Sequence, residues 1–361
     1  MKIGILTAHA QYSYERSLHA YALQEFFKSN GHDTEIVNYC PKTFMSWNRG
    51  LLKEEKQRIE NFEAFQSQFL HCSEAIHNKI EALQLEGRYD WLIAGGVGVF
   101  DCKVTKGLKS VFYGSFDKNA KKAAFSISIR RNTAPTYEDE FNRKNLAGYR
   151  AINACDEMVA ERLQAYTELT VGVTRNLLLL LDKEDYLEPA KKLVPSKKGK
   201  KDRDFRKKQR SKSPYILLHT IDGEWTVRKV AEKLAEFTGL PVIHNCPNVN
   251  FMGQPGTVAD CGPEQMPLYV NEAEYVVTNV ADTAVMAAMF EKKLLVVTPG
   301  ADEQRISAFA VAAGLEGQTI SEHTEFVAAE QADADYTEVT SRINEMKQSL
   351  RESILNTLAM D

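Results

Sequence analysis

The stretch YVVTNVADTAVMAAMFEKKLLVVT, residues 275–298, contains a strand, a loop, a helix and a second strand in sequence order. Residues 275–278 and 294–298 favour strands, and residues 284–290 are helix formers. In a β-α-β unit the first loop usually faces a ligand, because the unpaired N–H groups of the following helix gather there. The loop at 279–283 (NVADT) is therefore a candidate ligand contact, although it contains no His, Lys, Arg or Ser.

The same alternation occurs at the start of the chain and again after residue 214. A chain of 361 residues exceeds one typical core, so two domains of roughly 150 residues are expected. Alternating strands and helices predict the α/β class, with parallel, doubly wound sheets that bind ligands at their carboxyl edges. The predicted strands span 2–7, 32–38, 91–94, 122–129, 215–219 and 241–245, and the predicted helices span 18–30, 224–237 and 266–270.

A basic segment divides the chain. Residues 191–212 (KKLVPSKKGKKDRDFRKKQRSK) contain twelve Lys or Arg in twenty-two positions. Such a run is either a solvated linker or a patch that binds anionic lipid headgroups or an acidic polymer, which would give peripheral membrane contact. We expect an N-terminal Rossmann-like domain at 1–190 and a C-terminal Rossmann-like domain at 214–335, joined by a basic linker or loop at 191–213. A final helix at 336–361 can pack back on the first domain.

Apolar residues recur at helical spacing between Leu52 and Leu83, which predicts one long amphipathic helix or a broken pair. The same periodicity from Val339 to Leu358 predicts the C-terminal helix.

Composition excludes several classes of function. A net charge of -4 gives no general attraction to nucleic acid. The six cysteines are far apart and form no C-x-x-C pair, so free thiols in a reducing compartment are expected rather than a metal or redox site. The N-terminal apolar run is too short for a signal peptide, and no stretch approaches a membrane span. We expect a cytoplasmic protein without a metal or an organic cofactor.

Five segments resemble the polysaccharide pyruvyl transferase family in order and spacing, over roughly residues 1–318. They are SLHAYALQEFFKSNGHDTEIVNYCP (17–41), RYDWLIAGG (88–96), KAAFSISI (122–129), GPEQMPLYVNEAEYVVTNVADTAVMAAMFEKKLLVVT (262–298) and DEQRISAFAVAAGLEGQ (302–318). The resemblance implies a glycosyltransferase-B-like architecture, in which two Rossmann-like domains face a cleft. It also implies transfer of a pyruvyl ketal from phosphoenolpyruvate to a sugar of a cell-surface polysaccharide or its precursor.

The chain departs from the family where the family keeps its reactive groups. The usual Ser-Phe-His-Gly is Asn279-Val280-Ala281-Asp282, so the imidazole is absent. The family's Asn-Tyr-Gly turn is Ser13-Tyr14-Glu15, and its Gly-Ser-Asp-Gln-x-Trp becomes the segment 95–100 (GGVGVF). Its Ser-x-Arg-Glu box falls at 158–161 (MVAE), and its Asp-Pro is Arg175-Asn176. A missing acid or base typically costs ~10²–10⁴ in rate, so other residues would have to supply it.

In the second half, two histidines follow predicted strands and are candidate catalytic groups. His219 and His244 stand at strand ends, where they are either site residues or hydrogen-bonded strand termini. Asp282 is the third catalytic candidate, and with Thr283 it could instead cap a helix that begins near Ala284. Asn279, Thr283 and Asp222 are candidate substrate contacts, with the acidic residues 222–224 able to serve a ribose.

In the first half, the candidate substrate contacts follow three predicted strands. His9, Tyr12 and Tyr14 lie after the first strand, where polar and aromatic groups suit a sugar ring, although His9 can equally be a core or cap residue. Gly95 and Gly96, with Gly98 beyond them, allow close backbone approach to a ligand or simply form a tight turn. Arg130 and Arg131 either hold phosphate or carboxylate or form a surface pair.

Three functions therefore compete. The first is a pyruvyl transferase-like enzyme with phosphoenolpyruvate as its small-molecule donor and a sugar or polysaccharide as acceptor. The second is a nucleotide-sugar glycosyltransferase of the same fold. The third is a non-catalytic binding or assembly protein that has lost its catalytic residues.

Overall fold

A computed structural model describes residues 1–45, 52–96, 98–129, 137–193, 214–221, 224–252, 254–298, 304–321, 325–330 and 333–360. Its internal contacts divide the chain into two compact units. The first comprises Met1–Arg49, Phe69–Leu181 and Met346–Asp361, and the second comprises Gly50–Gln68 and Asp182–Glu345. These units differ from the predicted domain bounds at 50–68 and 182–190, which belong to the second unit.

The first unit is built on a parallel sheet of six strands in the order β2-β1-β3-β4-β5-β6. Its strands are β1 (Lys2–Leu6), β2 (Asp33–Ile36), β3 (Trp91–Gly95), β4 (Lys121–Ile127), β5 (Tyr149–Ala154) and β6 (Gly172–Val173). The helices up to this point in the chain are α1 (Tyr14–Ser29), α2 (Lys42–Met45), α3 (Lys53–Phe69), α4 (Lys79–Ala82), α5 (Tyr137–Leu146) and α6 (Glu157–Gln164).

The second unit contains a second parallel sheet of six strands, in the order β12-β11-β10-β7-β8-β9. Its strands are β7 (Ile216–His219), β8 (Val242–Asn245), β9 (Thr257–Val258), β10 (Tyr275–Thr278), β11 (Lys293–Thr298) and β12 (Thr319–Ser321). The remaining helices are α7 (Lys183–Lys192), α8 (Trp225–Thr238), α9 (Met266–Glu272), α10 (Ala281–Met289), α11 (Gln304–Ala313) and α12 (Tyr336–Leu358).

The predicted α/β class with two Rossmann-like domains is confirmed. The central strands β3 and β7 are buried along their whole length, as parallel strands covered on both faces should be. Gly31 and Gly239 follow α1 and α8 with φ values of 77° and 71°, the left-handed geometry that glycine adopts at little cost.

The predicted start of the first helix was wrong, whereas the broken pair of helices between Leu52 and Leu83 and the C-terminal helix were confirmed. The helix expected at 18–30 begins at Tyr14, because Ser13 has an extended conformation that starts the helix directly after it. The amphipathic stretch from 52 to 83 is broken into α3 and α4, with extended residues and isolated bridges between them. The periodic residues of the C-terminal helix lie in α12, whose final part, from Met346 onward, belongs to the first unit.

Helix α10 begins at Ala281, three residues before the predicted start near Ala284. Asp282 and Thr283 therefore lie inside its first turn, and the expectation that they cap the helix was wrong. The cap position is Val280, whose backbone N–H donates to Thr278 Oγ1 at 3.0 Å. Every residue of α10 before Met289 is buried, and after Thr283 the helix is apolar on all sides, as a fully buried helix should be.

Each sheet has one point where the strand order reverses, and open α/β sheets bind ligands in the crevice at such a point. In the first sheet the reversal falls between β1 and β3, and in the second it falls between β7 and β10. The candidate His219 is the last residue of β7, and Asn279 directly follows β10. The topology therefore puts these two residues on either side of the reversal in the second sheet.

Candidate ligand site at the carboxyl edge of the second sheet

His219 and the first turn of α10 form a hydrogen-bonded cluster beside the strand reversal. His219 is 2% exposed, and its Nδ1 lies 2.6 Å from Thr283 Oγ1. The Thr278 hydroxyl donates to the backbone oxygen of His219 at 2.8 Å. Strand β7 and helix α10 are thereby joined through side chains at their ends.

Burial keeps the His219 ring neutral. It lowers the pKa of His219 to about 3, with a smaller contribution from His244, and the Asp282 carboxylate only partly opposes this change. At neutral pH the ring can donate and accept hydrogen bonds, but it is a weak base. The catalytic role predicted for His219 stays a prediction, and it requires a ligand that changes this environment.

His244 lies at the end of the neighbouring strand β8 and is 6% exposed. Its Nε2 lies 3.2 Å from Thr220 Oγ1, and its ring packs edge-on against Phe251 with centroids 5.4 Å apart. Burial, followed by the charge of Arg228, lowers the pKa of His244 to about 4. The two predicted histidines thus belong to one buried polar region with low proton affinity.

Asn279 is the residue of this region that most directly indicates a ligand. Its amide Nδ2 donates to Glu224 Oε2 at 2.8 Å, which ties the end of β10 to the start of α8. Its side-chain oxygen is buried and accepts no hydrogen bond from any part of the chain that the structure describes. Buried amide oxygens are nearly always hydrogen-bonded, so this atom requires a donor that the described residues do not supply.

Asp282 is held by an arginine from the next helix. Arg305 Nη2 lies 3.1 Å from Asp282 Oδ2, and the Asp282 side chain is only 6% exposed. The pair joins the first turns of α10 and α11. An ion pair with a buried carboxylate is costly to break, so Arg305 holds the Asp282 side chain in place beside the cluster.

The candidate residues that follow β1 mostly form contacts within the first unit. His9 is 1% exposed, with Nδ1 3.3 Å from the Thr7 oxygen and Nε2 3.2 Å from Asn38 Oδ1. Burial lowers the pKa of His9. Tyr14 lies not in the predicted loop but at the first position of α1, where it is buried. Tyr12 is half-buried with φ 46°, and its substrate contact stays a prediction.

The glycine that ends β3 and the glycines just after it are required by packing. A Cβ on Gly95 would lie 2.6 Å from Leu23, and one on Gly96 would lie 2.8 Å from Nδ1 of His19, both residues of α1. Gly96 and Gly98 also have positive φ values, 94° and 71°. The turn is therefore tight against α1, which explains the glycines without a ligand.

We expect Gly96→Ala to lower the free energy of unfolding by about 3 kcal/mol, because it combines a left-handed alanine with overpacking against a buried ring. Gly31→Ala is the matched control, since Gly31 has φ 77° but no atom within 4 Å of its added Cβ. That control should lose only about 1 kcal/mol. Urea denaturation of both variants measures the difference, and equal losses would contradict a packing role for Gly96.

Three predicted site residues, Arg130, Arg131 and Asp222, lie outside the described residues, as does the basic segment from residue 194 to 213. Sequence reasoning missed Arg305 and Thr220 as members of the region. Arg305 could have been found from the sequence, since it lies in the first turn of the helix in the 302–318 segment. Thr220 could also have been found, since it directly follows β7, but its contact with His244 could not be predicted because only the sheet brings the two residues together.

Other classes of site find no support in the described part of the chain. No group of three or more His, Cys, Asp or Glu there is arranged to hold a metal ion. None of the six cysteines forms a disulfide, and Cys155, Cys246 and Cys261 are the buried ones. None of the described helices is long and apolar enough to span a membrane.

No family model matches this chain, and no curated protein is a significant match. Solved structures do match it over nearly its whole length. UDP-GlcNAc 2-epimerase from Neisseria meningitidis, bound to UDP-GlcNAc, is 12% identical with a TM-score of 0.54, covering 99% of this chain and 98% of that chain. UDP-GlcNAc 2-epimerase from Methanocaldococcus jannaschii is 12% identical with a TM-score of 0.52, covering 99% of both chains.

A third match is described as trehalose-6-phosphate from E. coli bound with UDP-2-fluoro glucose; it is 12% identical with a TM-score of 0.54 and covers 100% of both chains. At such identities the likeness concerns the fold alone. The fold of this chain is that of the glycosyltransferase-B-like proteins, as the sequence predicted.

Proposed function

We propose that this protein binds a nucleotide sugar at the carboxyl edge of its second sheet and transfers the sugar to a hydroxyl acceptor. The observation that carries the proposal is the buried oxygen of Asn279, which has no donor among the described residues. Sugars and riboses carry several hydroxyl groups, each of which can donate a hydrogen bond to such an oxygen. Asn279 also lies at the strand reversal, where a doubly wound sheet binds its ligand.

The charges of the region favour a hydroxyl-rich group here over a bare anion. The Asp282 side chain in the first turn of α10 is buried and paired with Arg305, and its oxygens repel a carboxylate or a phosphate placed against them. A sugar hydroxyl can instead donate to Asp282 or Asn279. This distribution supports a nucleotide sugar over phosphoenolpyruvate, which carries two anionic groups and no hydroxyl.

In the proposed reaction, the bond between the anomeric carbon and the diphosphate oxygen breaks, and a bond from that carbon to the acceptor oxygen forms. The nucleoside diphosphate leaves, and a phosphate oxygen of the departing diphosphate takes the proton that the acceptor hydroxyl gives up. His219 and Asp282 are the nearest candidates to orient the hydroxyls. The neutral ring of His219, with its low proton affinity, is better suited to hydrogen bonding than to removing that proton.

The proposal predicts saturable binding of UDP-glucose or UDP-GlcNAc to the purified protein, measured by thermal shift and then by calorimetry. A ligand at 100 times its dissociation constant adds about 2.7 kcal/mol to the free energy of unfolding. Phosphoenolpyruvate is titrated in parallel, since the family resemblance implies it as donor. Binding of phosphoenolpyruvate without any nucleotide sugar would overturn the proposal and favour pyruvyl transfer.

Asn279→Ala tests the assigned contact. Removing an acceptor that a ligand hydroxyl uses should weaken binding of the UDP sugar by about ten-fold. The matched control is Asn30→Ala at the end of α1 in the first unit, where the amide donates only to the Phe26 oxygen and to Ser29. Equal affinities of the two variants for the UDP sugar would show that Asn279 does not contact it.

A protein that binds the UDP sugar but transfers it to no acceptor in a panel of saccharides would fit the non-catalytic alternative instead.

A further inference from the structure

One exposed aromatic residue stands at the rim of the same sheet edge. Trp225 is the first residue of α8, directly after Glu224, whose carboxylate accepts the Asn279 amide. Its side chain is 66% exposed, whereas Trp91 in the first sheet is 1% exposed. An indole gains much by burial, so its exposure at a candidate ligand edge calls for a functional explanation.

Two cations accompany this ring. The ammonium of Lys229, one turn further along α8, lies 3.4 Å from the centroid of the Trp225 ring. The Arg228 guanidinium lies 4.8 Å from the Phe251 ring centroid and close enough to His244 to lower the pKa of that residue. Within the described residues, neither cation forms an ion pair with a carboxylate. Two positive charges are thus available near the start of α8.

We propose that Trp225 is the stacking surface for the nucleobase of the donor, with Lys229 and Arg228 attracting its diphosphate. Lys229 occupies one face of the indole, so the base stacks on the other face. A flat ring beside unpaired cations matches a ligand that combines a planar base with negative charge, and a neutral sugar lacks both. This inference rests on the proposed function and adds which end of the ligand lies against α8.

Base stacking on an aromatic side chain is nonspecific for the base, because every base has a π-face. Trp225 therefore supplies affinity for a nucleoside diphosphate and does not by itself choose uridine. The expected consequence is that ADP and UDP both lose affinity when the indole is removed.

The test compares UDP with inorganic pyrophosphate on the intact chain by calorimetry. We expect Trp225→Ala to weaken UDP binding by about ten-fold, within the range that stacking supplies, and to leave pyrophosphate binding unchanged. Trp225→Phe should retain part of the affinity for UDP. Phe237→Ala is the matched control, since Phe237 is 61% exposed on the same helix but at its far end, and it should bind UDP as the unaltered chain does.

Intrinsic fluorescence gives a second readout that a folding defect would not mimic. UDP should quench tryptophan emission of the unaltered protein, and Trp225→Phe should abolish the quenching while UDP still binds. If UDP binds equally to the unaltered chain and the alanine variant, or if quenching persists in the phenylalanine variant, the stacking inference is wrong and the proposed function stands. If UDP and the UDP sugars do not bind to the unaltered chain at all, both are wrong.

Discussion

Between pH 7 and pH 5 the free energy of unfolding of the second unit should fall by about 4 kcal/mol. Burial lowers the pKa of His219 to about 3 and that of His244 to about 4, whereas both have a pKa of about 6.5 in the unfolded chain. Below pH 6.5 the unfolded chain binds two protons that the folded unit does not. Each histidine then lowers the free energy of unfolding by about 1.4 kcal/mol per pH unit, until the pH reaches the pKa of that histidine in the folded protein.

The contribution of the two neutral histidines to the free energy of unfolding is thus fully present above pH 6.5 and is lost as the pH falls toward 4. Urea denaturation at half-unit intervals from pH 8 to pH 5 measures the slope, and this range avoids the protonation of ordinary carboxylates. The double variant His219→Gln with His244→Gln is the control, and its stability should change much less over the same interval. A slope in the double variant as steep as that of the unaltered chain would show that other groups carry the pH dependence.

Glu35→Ala should destabilise the first unit by about 3 kcal/mol, the lower end of the cost of breaking a buried ion pair. The Glu35 side chain is 4% exposed and lies 2.6 Å from Arg88 Nη2, and it also accepts from the Tyr89 hydroxyl at 2.5 Å. Its removal leaves a buried hydroxyl without its acceptor and a half-buried guanidinium with one carboxylate fewer. Thermal or urea unfolding of the first unit measures the loss.

The same arginine supplies the matched control. Glu74 binds Arg88 Nη1 at 2.8 Å, but its side chain is 73% exposed. An ion pair so open to solvent contributes little to stability, so Glu74→Ala should be nearly neutral. A loss as large for Glu74→Ala as for Glu35→Ala would mean that the charge of Arg88, and not the burial of Glu35, governs the effect.

Local patterns in the sequence predicted the fold because each depended on neighbouring residues. The unit at 275–298 could be recognised from its apolar strands and its alanine-rich helix. The start of α10 could not, because the extended conformation of Val280 and the bond from its N–H to Thr278 depend on how β10 meets the strands around it. Asp282 was therefore expected at a cap position and instead lies within the helix.

The candidate site was predictable only in part for a related reason. The ends of β7, β8 and β10 could be expected at one edge of a parallel sheet, which identified His219, His244 and Asn279. The pairing of Asp282 with Arg305 joins two helices across a strand, and no spacing rule specifies it. The neutral state of His219 likewise follows from burial, which a sequence does not report residue by residue.

The uniform burial of α10 has a consequence for biosynthesis. Strand β10 pairs with β7, made well before it, and with β11, made just after it. Until β11 has left the ribosome, one edge of β10 is unpaired and α10 lacks part of its cover, and such segments associate readily with other unfinished chains. Slow translation or early termination beyond residue 289 would expose this surface. Conditions that crowd or warm unfinished chains, such as overexpression or heat, should therefore lower the yield of soluble protein even where the finished molecules remain folded.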